Sequence, residues 1–209
     1  MAYFPLYVDL TGRKCVIAGG GEVALRKAKV LLDFDARVTV IAPEISDKLK
    51  KLSMDISGHL TLIPEEISRE ALRDAFLVVA ATDDEELNHQ IADYCREQRI
   101  PVNTVDRVRD CSFIFSSYVK QKDLVASFSS GGSSPMLTQI LKQKEQEILT
   151  PFLGEINEHL GKLRKEASAR IPEETARKEF YRSVYELALS AGRLPTEEET
   201  EKLFQEIWP

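Results

Sequence analysis

The chain has 209 residues, room for one main domain of ordinary size plus an appendage. A composition of 43% hydrophobic and 30% charged residues, with 10 Gly and 9 Pro, excludes collagen-like, low-complexity and disordered chains. Lys and Arg number 28 against 34 Asp and Glu, and the resulting charge of −6 argues against nucleic acid or an anionic membrane as a partner.

Taken in chain order, the pattern alternates strand and helix. Residues 14–18 form a short apolar strand, a glycine turn follows, and Val23, Ala24, Lys27, Val30 and Leu31 then recur at helical spacing to about Asp33. Residues 37–42, 60–63 and 75–81 read as strands buried on both faces, with helical stretches over 46–52 and 68–73 between them. Thr82 and Glu85 have the spacing of a capping box for a helix running to about Gln98, and 102–105 supplies a fifth strand. This order predicts an α/β fold, a Rossmann-like doubly wound parallel sheet.

Beyond Asp106 the pattern changes. Residues 112–119 and 124–129 predict a β-hairpin around a polar turn at 120–123, and Ser134-Pro135 predicts a helix start, with that helix running to about Leu149. From Thr150-Pro151 the chain reads as all-helical, with further starts at Pro172-Glu173-Glu174 and Pro195-Thr196-Glu197. Ile148, Phe152, Ile156 and Leu160, and Leu187, Leu189 and Leu194, form stripes expected to pack in a core or against a subunit.

Gly19-Gly20-Gly21-Glu22-Val23-Ala24 satisfies Gly-x-Gly-x-x-Ala between the first strand and helix. Gly19 allows the tight turn, Gly21 lets a pyrophosphate approach the backbone, and Ala24 lets the helix pack close, while the amides of the first helical turn face the phosphates. The acid expected at the end of the second strand is missing, since Ala42 stands there, but Glu44 follows two residues later. Glu44 and Asp47, with no basic residue between positions 42 and 47, favour NAD over NADP, although Glu44 also fits a solvated loop acid. Thr82 and Asp83, in Ala80-Ala81-Thr82-Asp83-Asp84, end the fourth strand where open α/β sheets bind ligands, and Thr82 also fits plain helix capping. Asn103 and Asp106, in Asn103-Thr104-Val105-Asp106, end the fifth strand on the same edge. Asp106 is the best acid–base candidate there, with a turn-opening aspartate as the alternative.

Other groups carry less. His59, His89 and His159 lack metal-ligand spacing and read as surface or packing histidines, so no metal site is expected. Cys15, Cys95 and Cys111 have no Cys-x-x-Cys spacing and read as reduced thiols in or near the core of a cytoplasmic protein. No apolar run approaches the roughly 20 residues of a membrane span, and positions 1–10 lack the order of a signal peptide.

The glycine motif within 15–32, Ala80-Ala81-Thr82-Asp83-Asp84, Asn103-Thr104-Val105-Asp106, Ser112-Phe113-Ile114 and Ser129-Ser130-Gly131-Gly132-Ser133-Ser134-Pro135 together resemble the precorrin-2 dehydrogenase and sirohydrochlorin ferrochelatase family, the N-terminal modules of siroheme synthases. The resemblance implies NAD-dependent oxidation of precorrin-2 to sirohydrochlorin, and in some members insertion of ferrous iron as a second substrate. It also implies a homodimer interlocked through its middle segment. The expected layout is a Rossmann domain over 1–110, a dimerisation segment over 111–146 and a helical domain over 147–209. Onto the family's key aspartate maps Asp106, and onto its loop serine Ser130. Ser129, Ser130, Gly131 and Gly132 are then expected to meet the substrate's carboxylates, helped by Arg107, Arg109 and Lys120. Phe34-Asp35 departs from the family's Ala-Gly and would put Asp35 in a left-handed conformation. The methyltransferase domain fused in some members is not expected within 209 residues.

A reading from another class rests on Ala80-Ala81-Thr82-Asp83-Asp84 followed by Asn88, which is also similar to the NAD-sensing domains of potassium-transport regulators. Those domains end the second strand with an acid and lack the serine-glycine block. A hydroxy-acid dehydrogenase would need a strand-end histidine paired with a carboxylate, and none is apparent.

Overall fold

A computed structural model describes residues 3–56 and 58–208; the first two residues of the 1–10 stretch lie outside these. The chain divides into two compact units, 1–115 and 116–209.

The first unit alternates β1 (Lys14–Ala18), α1 (Glu22–Leu32), β2 (Arg37–Ile41), α2 (Asp47–Asp55), β3 (Leu60–Ile63), α3 (Arg69–Leu72), β4 (Leu77–Ala80), α4 (Glu85–Glu97) and β5 (Val102–Thr104). Its strands pair in parallel in the order β3-β2-β1-β4-β5, the Rossmann-like topology expected from the alternation. Ala18 is in register with Ile41 and with Ala80, and Ala80 with Thr104, so the carboxyl ends of the four strands are level. Strand order reverses at β1, which opens a crevice beyond the carboxyl ends of β1 and β4.

Successive strand residues face opposite sides and build two cores. Cys15 and Ile17 join Ala24, Leu25, Ala28 and Leu31 of α1 on one face, whereas Val16, Ala18 and Val78 join Ile91, Ala92 and Cys95 of α4 on the other. Burial on both sides is why these strands read as continuous apolar runs. Between α1 and β2, Asp35 has φ 57, the left-handed conformation expected of it.

Two local expectations need correction. Asp84, not Thr82, caps α4: its carboxylate accepts from the backbone N–H groups of Glu86 and Leu87 at 2.9 and 3.0 Å. A carboxylate is the better acceptor for helix-start amides, and Thr82 is thereby released for another role. The first hairpin strand also begins later than expected. Ser112 accepts from Val102 N–H at 2.8 Å, and Phe113 and Phe115 pack on the α1-side core, so the chain after β5 stays bound to the first unit.

In the second unit β6 (Ser117–Gln121) and β7 (Leu124–Phe128) form an antiparallel hairpin, closed by a turn in which Lys122 has φ 54. α5 (Pro135–Ile148), α6 (Pro151–Arg170), α7 (Glu174–Ala191) and α8 (Glu197–Ile207) follow. Each starts at a side-chain cap: Ser134, Thr150, Glu173, and Thr196 in a full capping box with Glu199. The helical core gathers Ala167, Ile171, Phe180, Val184 and Phe204, with the Phe180 and Phe204 rings stacked at 4.1 Å. Of the expected stripes, Ile156 is buried, but Ile148 and Leu189 are exposed. No helix among the described residues is long and apolar enough to cross a membrane.

Candidate active site

The glycine turn hangs between β1 and α1, and its three glycines do different things. Gly19 has φ 121, and a Cβ there would lie 2.1 Å from the Ala81 carbonyl oxygen, so only glycine lets the turn pass beside β4. A Cβ on Gly20 would meet the Glu44 carbonyl oxygen at 2.0 Å, and Ser46 N–H donates to the Gly20 carbonyl, so this glycine packs against the chain leaving β2. Around Gly21 there is open space. Gly21 is the N-cap of α1 and supplies no side-chain cap, which leaves the first-turn N–H groups at Glu22, Val23 and Ala24 free to receive an anion. The buried Ala24 brings α1 close to the sheet. Glu22 turns outward to pair with Lys48 at 2.7 Å, and Glu44 is exposed just past β2.

Across the crevice, the exits of β4 and β5 are tied together. Val105 N–H donates to the Ala80 carbonyl at 3.1 Å, extending the pairing by one residue, and the exposed Asp106 comes next. Asn88, 1% exposed on α4, donates from Nδ2 to the Thr82 carbonyl at 3.0 Å and to Asp106 Oδ2 at 3.4 Å. Its Oδ1 accepts from Thr82 N–H at 3.1 Å and from the Thr82 hydroxyl at 2.8 Å. Arg107 reaches back to Glu85 at 3.2 Å, a contact that raises its guanidinium pKa. Asp83 is exposed beside this group.

Asn103 is buried, and its amide donates to the Phe113 carbonyl at 3.1 Å and to Cys111 Sγ at 3.4 Å. That side chain holds the segment after β5 in place. Cys111 Sγ also accepts from Thr104 N–H at 3.2 Å, and His89 Nδ1 lies 3.0 Å from the buried Asp110 carboxylate, clamping the 3-10 turn Val108–Asp110 to α4. Burial pushes the Cys15 and Cys95 thiols up to about 12.

The serine-glycine loop belongs to the second unit. Ser129 Oγ accepts from Gly131 N–H at 3.1 Å and Ser130 Oγ from Ser134 N–H at 3.0 Å, while Gly131 and Gly132 both have positive φ, 63 and 90. The two hydroxyls therefore shape the loop as acceptors and keep their own protons to donate.

The structure places the sequence candidates Gly19, Gly21, Thr82 and Asp106 at one sheet edge, beside Asn88, to which the sequence reading gave no structural part. A signal was present, because Asn88 shares a helical stripe with Ile91, Ala92 and Cys95, and a polar residue on an apolar face has to have partners.

Residues 6–117 match a family model described as "Putative NAD(P)-binding". The chain belongs to this NAD(P)-binding family. Open space at Gly21 and the uncapped first turn of α1 suit a dinucleotide's pyrophosphate, so the residues present fit a nicotinamide cofactor. Among curated proteins, the chain is 39% identical over 186 residues to the siroheme synthase of Psychrobacter cryohalolentis, covering 89% of this chain and 35% of that one. It is 37% identical over 202 residues to the siroheme synthase of Tolumonas auensis, covering 97% and 42%. The chain thus spans about two fifths of the length of these relatives, and the resemblance drawn from its motifs is borne out. Among solved structures, "SirC, precorrin-2 dehydrogenase" superposes with a TM-score of 0.71 over 98% of both chains at 21% identity, which shows a shared fold.

Proposed function

We propose that the chain oxidises precorrin-2 to sirohydrochlorin in siroheme biosynthesis, using NAD, with Asp106 as the base. The observation that carries this reading is the exposed Asp106 carboxylate one residue past the last β4–β5 pairing, on the sheet edge where the glycine turn opens. The siroheme synthase relatives and the precorrin-2 dehydrogenase of like fold support the choice of substrate. When bound, the nicotinamide accepts the hydride. The chain's own part is to hold the dinucleotide phosphates on the Gly19–Gly21 turn and the first-turn amides of α1, and to take the substrate's proton at the Asp106 carboxylate. The hydroxyls of Ser129 and Ser130, which accept within the loop, retain protons that suit substrate carboxylates. NAD rather than NADP is the cofactor, because the exposed Glu44 past β2 would repel a 2′-phosphate. A reducing cytoplasmic setting suits the three free cysteines.

The deciding experiment offers purified protein precorrin-2 with NAD or NADP and follows sirohydrochlorin formation. Turnover at least about tenfold more efficient with NAD is expected. Asp106→Asn keeps size and hydrogen bonding but removes basicity, and should lower turnover by on the order of 10²-fold while NAD affinity stays within a few-fold. Wild-type turnover in this variant would make Asp106 a turn residue. Offering sirohydrochlorin and ferrous iron to both forms reads out whether the same carboxylate serves chelation.

A further inference from the structure

We propose that Asn88 is the positioning residue of the site: it orients the Asp106 carboxylate and couples it to the Thr82 backbone at the exit of β4. This deepens the reading of Asp106 as the base and rests on it for its kinetic consequence only.

The hydrogen-bond inventory of Asn88 is complete. An asparagine amide offers two N–H donors and two acceptor lone pairs. Oδ1 accepts from the Thr82 N–H and hydroxyl, and Nδ2 donates to the Thr82 carbonyl and to Asp106 Oδ2. These partners leave one orientation for the amide. Turned over, it would set donor against the Thr82 N–H and oxygen against both a carbonyl and a carboxylate. One N–H is therefore aimed at the carboxylate by three bonds to a single residue, the N–H, carbonyl and hydroxyl of Thr82, from a residue 1% exposed.

One consequence follows for Asp106: its Oδ2 is engaged by the Asn88 amide of α4, which leaves Oδ1 as the oxygen available to take a proton. The 3.4 Å separation is long, as bonds to catalytic groups often are before substrate binds. The other charged groups at this edge are Arg107, its ion-pair partner Glu85, and Asp110; the two acids share the Arg107 guanidinium's field with Asp106. Asparagine alone fits these demands: aspartate of the same shape has no N–H, leucine has neither donor nor acceptor, and glutamine is a methylene too long.

The test follows the Asp106 carboxyl carbon and the Asn88 side-chain amide by NMR through an acid titration of the whole protein, alongside the pH profile of precorrin-2 oxidation. In the wild type, the Asn88 amide resonances should move with the Asp106 titration. In Asn88→Asp and Asn88→Leu the Asp106 midpoint should rise, by about one pH unit or more in the former because a like charge is added. The acid limb of kcat/KM should rise with it. An amide silent to the Asp106 titration, or a midpoint unmoved in folded variants, would overturn the proposal and leave Asn88 a loop clamp. A midpoint that rises while the kinetic limb stays put would uphold Asn88's hold on the carboxylate and remove Asp106 as the base. If neither variant folds, the wild-type amide titration decides by itself.

Discussion

Lys27 carries a charge that its surroundings disfavour. It sits partly buried on the inner flank of α1, with its ammonium 3.7 Å from the centre of the Phe115 ring, and among the described residues no carboxylate pairs with it. Burial, reinforced by the neighbouring Arg26, pushes its pKa down to about 8. The unfolded chain would hold this proton up to about pH 10.4, so between about 8 and 10.4 the unfolded state binds more protons and stability from this group rises with pH. At pH 7 the folded state bears the cost of a desolvated ammonium. Lys27→Met should therefore stabilise the protein by about 1–2 kcal/mol at pH 7, with the gain shrinking toward zero by pH 10. Urea melts of both forms at the two pH values check this, since the buried Cys15 and Cys95 contribute equally to each. A gain of the same size at both pH values would mean that packing, and not charge, is responsible. The same physics decides the Asn88–Asp106 pair: a buried polar group finds all its partners or costs stability.

At the level of elements, helix α6 carries two glycines whose surroundings differ. A Cβ on Gly154 would come 2.7 Å from the Gln121 carbonyl oxygen at the end of β6, whereas a Cβ on Gly161 would meet nothing within 4 Å. Lys122 in the hairpin turn is paired with Glu158 on the same helix, which holds the helix against the hairpin. Gly154→Ala should accordingly cost about 1–3 kcal/mol by forcing hairpin and helix apart. Gly161→Ala should add about 0.5–1 kcal/mol, because alanine favours the helix and loses less backbone freedom on folding. Chemical denaturation of the two variants side by side gives opposite signs if close approach at Gly154 is real, and the same sign if it is not. The sequence marks both glycines alike, so helical propensity alone would treat them as equivalent.

At the scale of the molecule, helix α5 has no buried residue, and Met136, Leu137, Ile140 and Leu141 are exposed along one face. A two-stranded hairpin and a helix with an uncovered apolar face bury too little to stand alone, which supports pairing of this segment with a second chain. Sedimentation should give a dimer at micromolar concentration, and Leu137→Glu with Ile140→Glu should shift it to monomer. A wild-type monomer at that concentration would refute the pairing. Much of this architecture was legible in advance. The five parallel strands, the glycine turn, the hairpin and the helix starts at Ser134 and Thr196 follow from periodicity, β-branched runs and capping residues, which act over a few neighbouring positions. Left-handed Asp35 was likewise readable, because few residues tolerate that conformation. What only the tertiary structure decided are the long-range pairings. Asn88 reaches Thr82 and Asp106, Asn103 turns its amide to Phe113 rather than outward, and Gly20 meets the Glu44 carbonyl. Each depends on where the level carboxyl ends of β1, β2, β4 and β5 bring separate loops together, and local spacing carries no information about that meeting because sheet order, not chain order, sets which loops are neighbours.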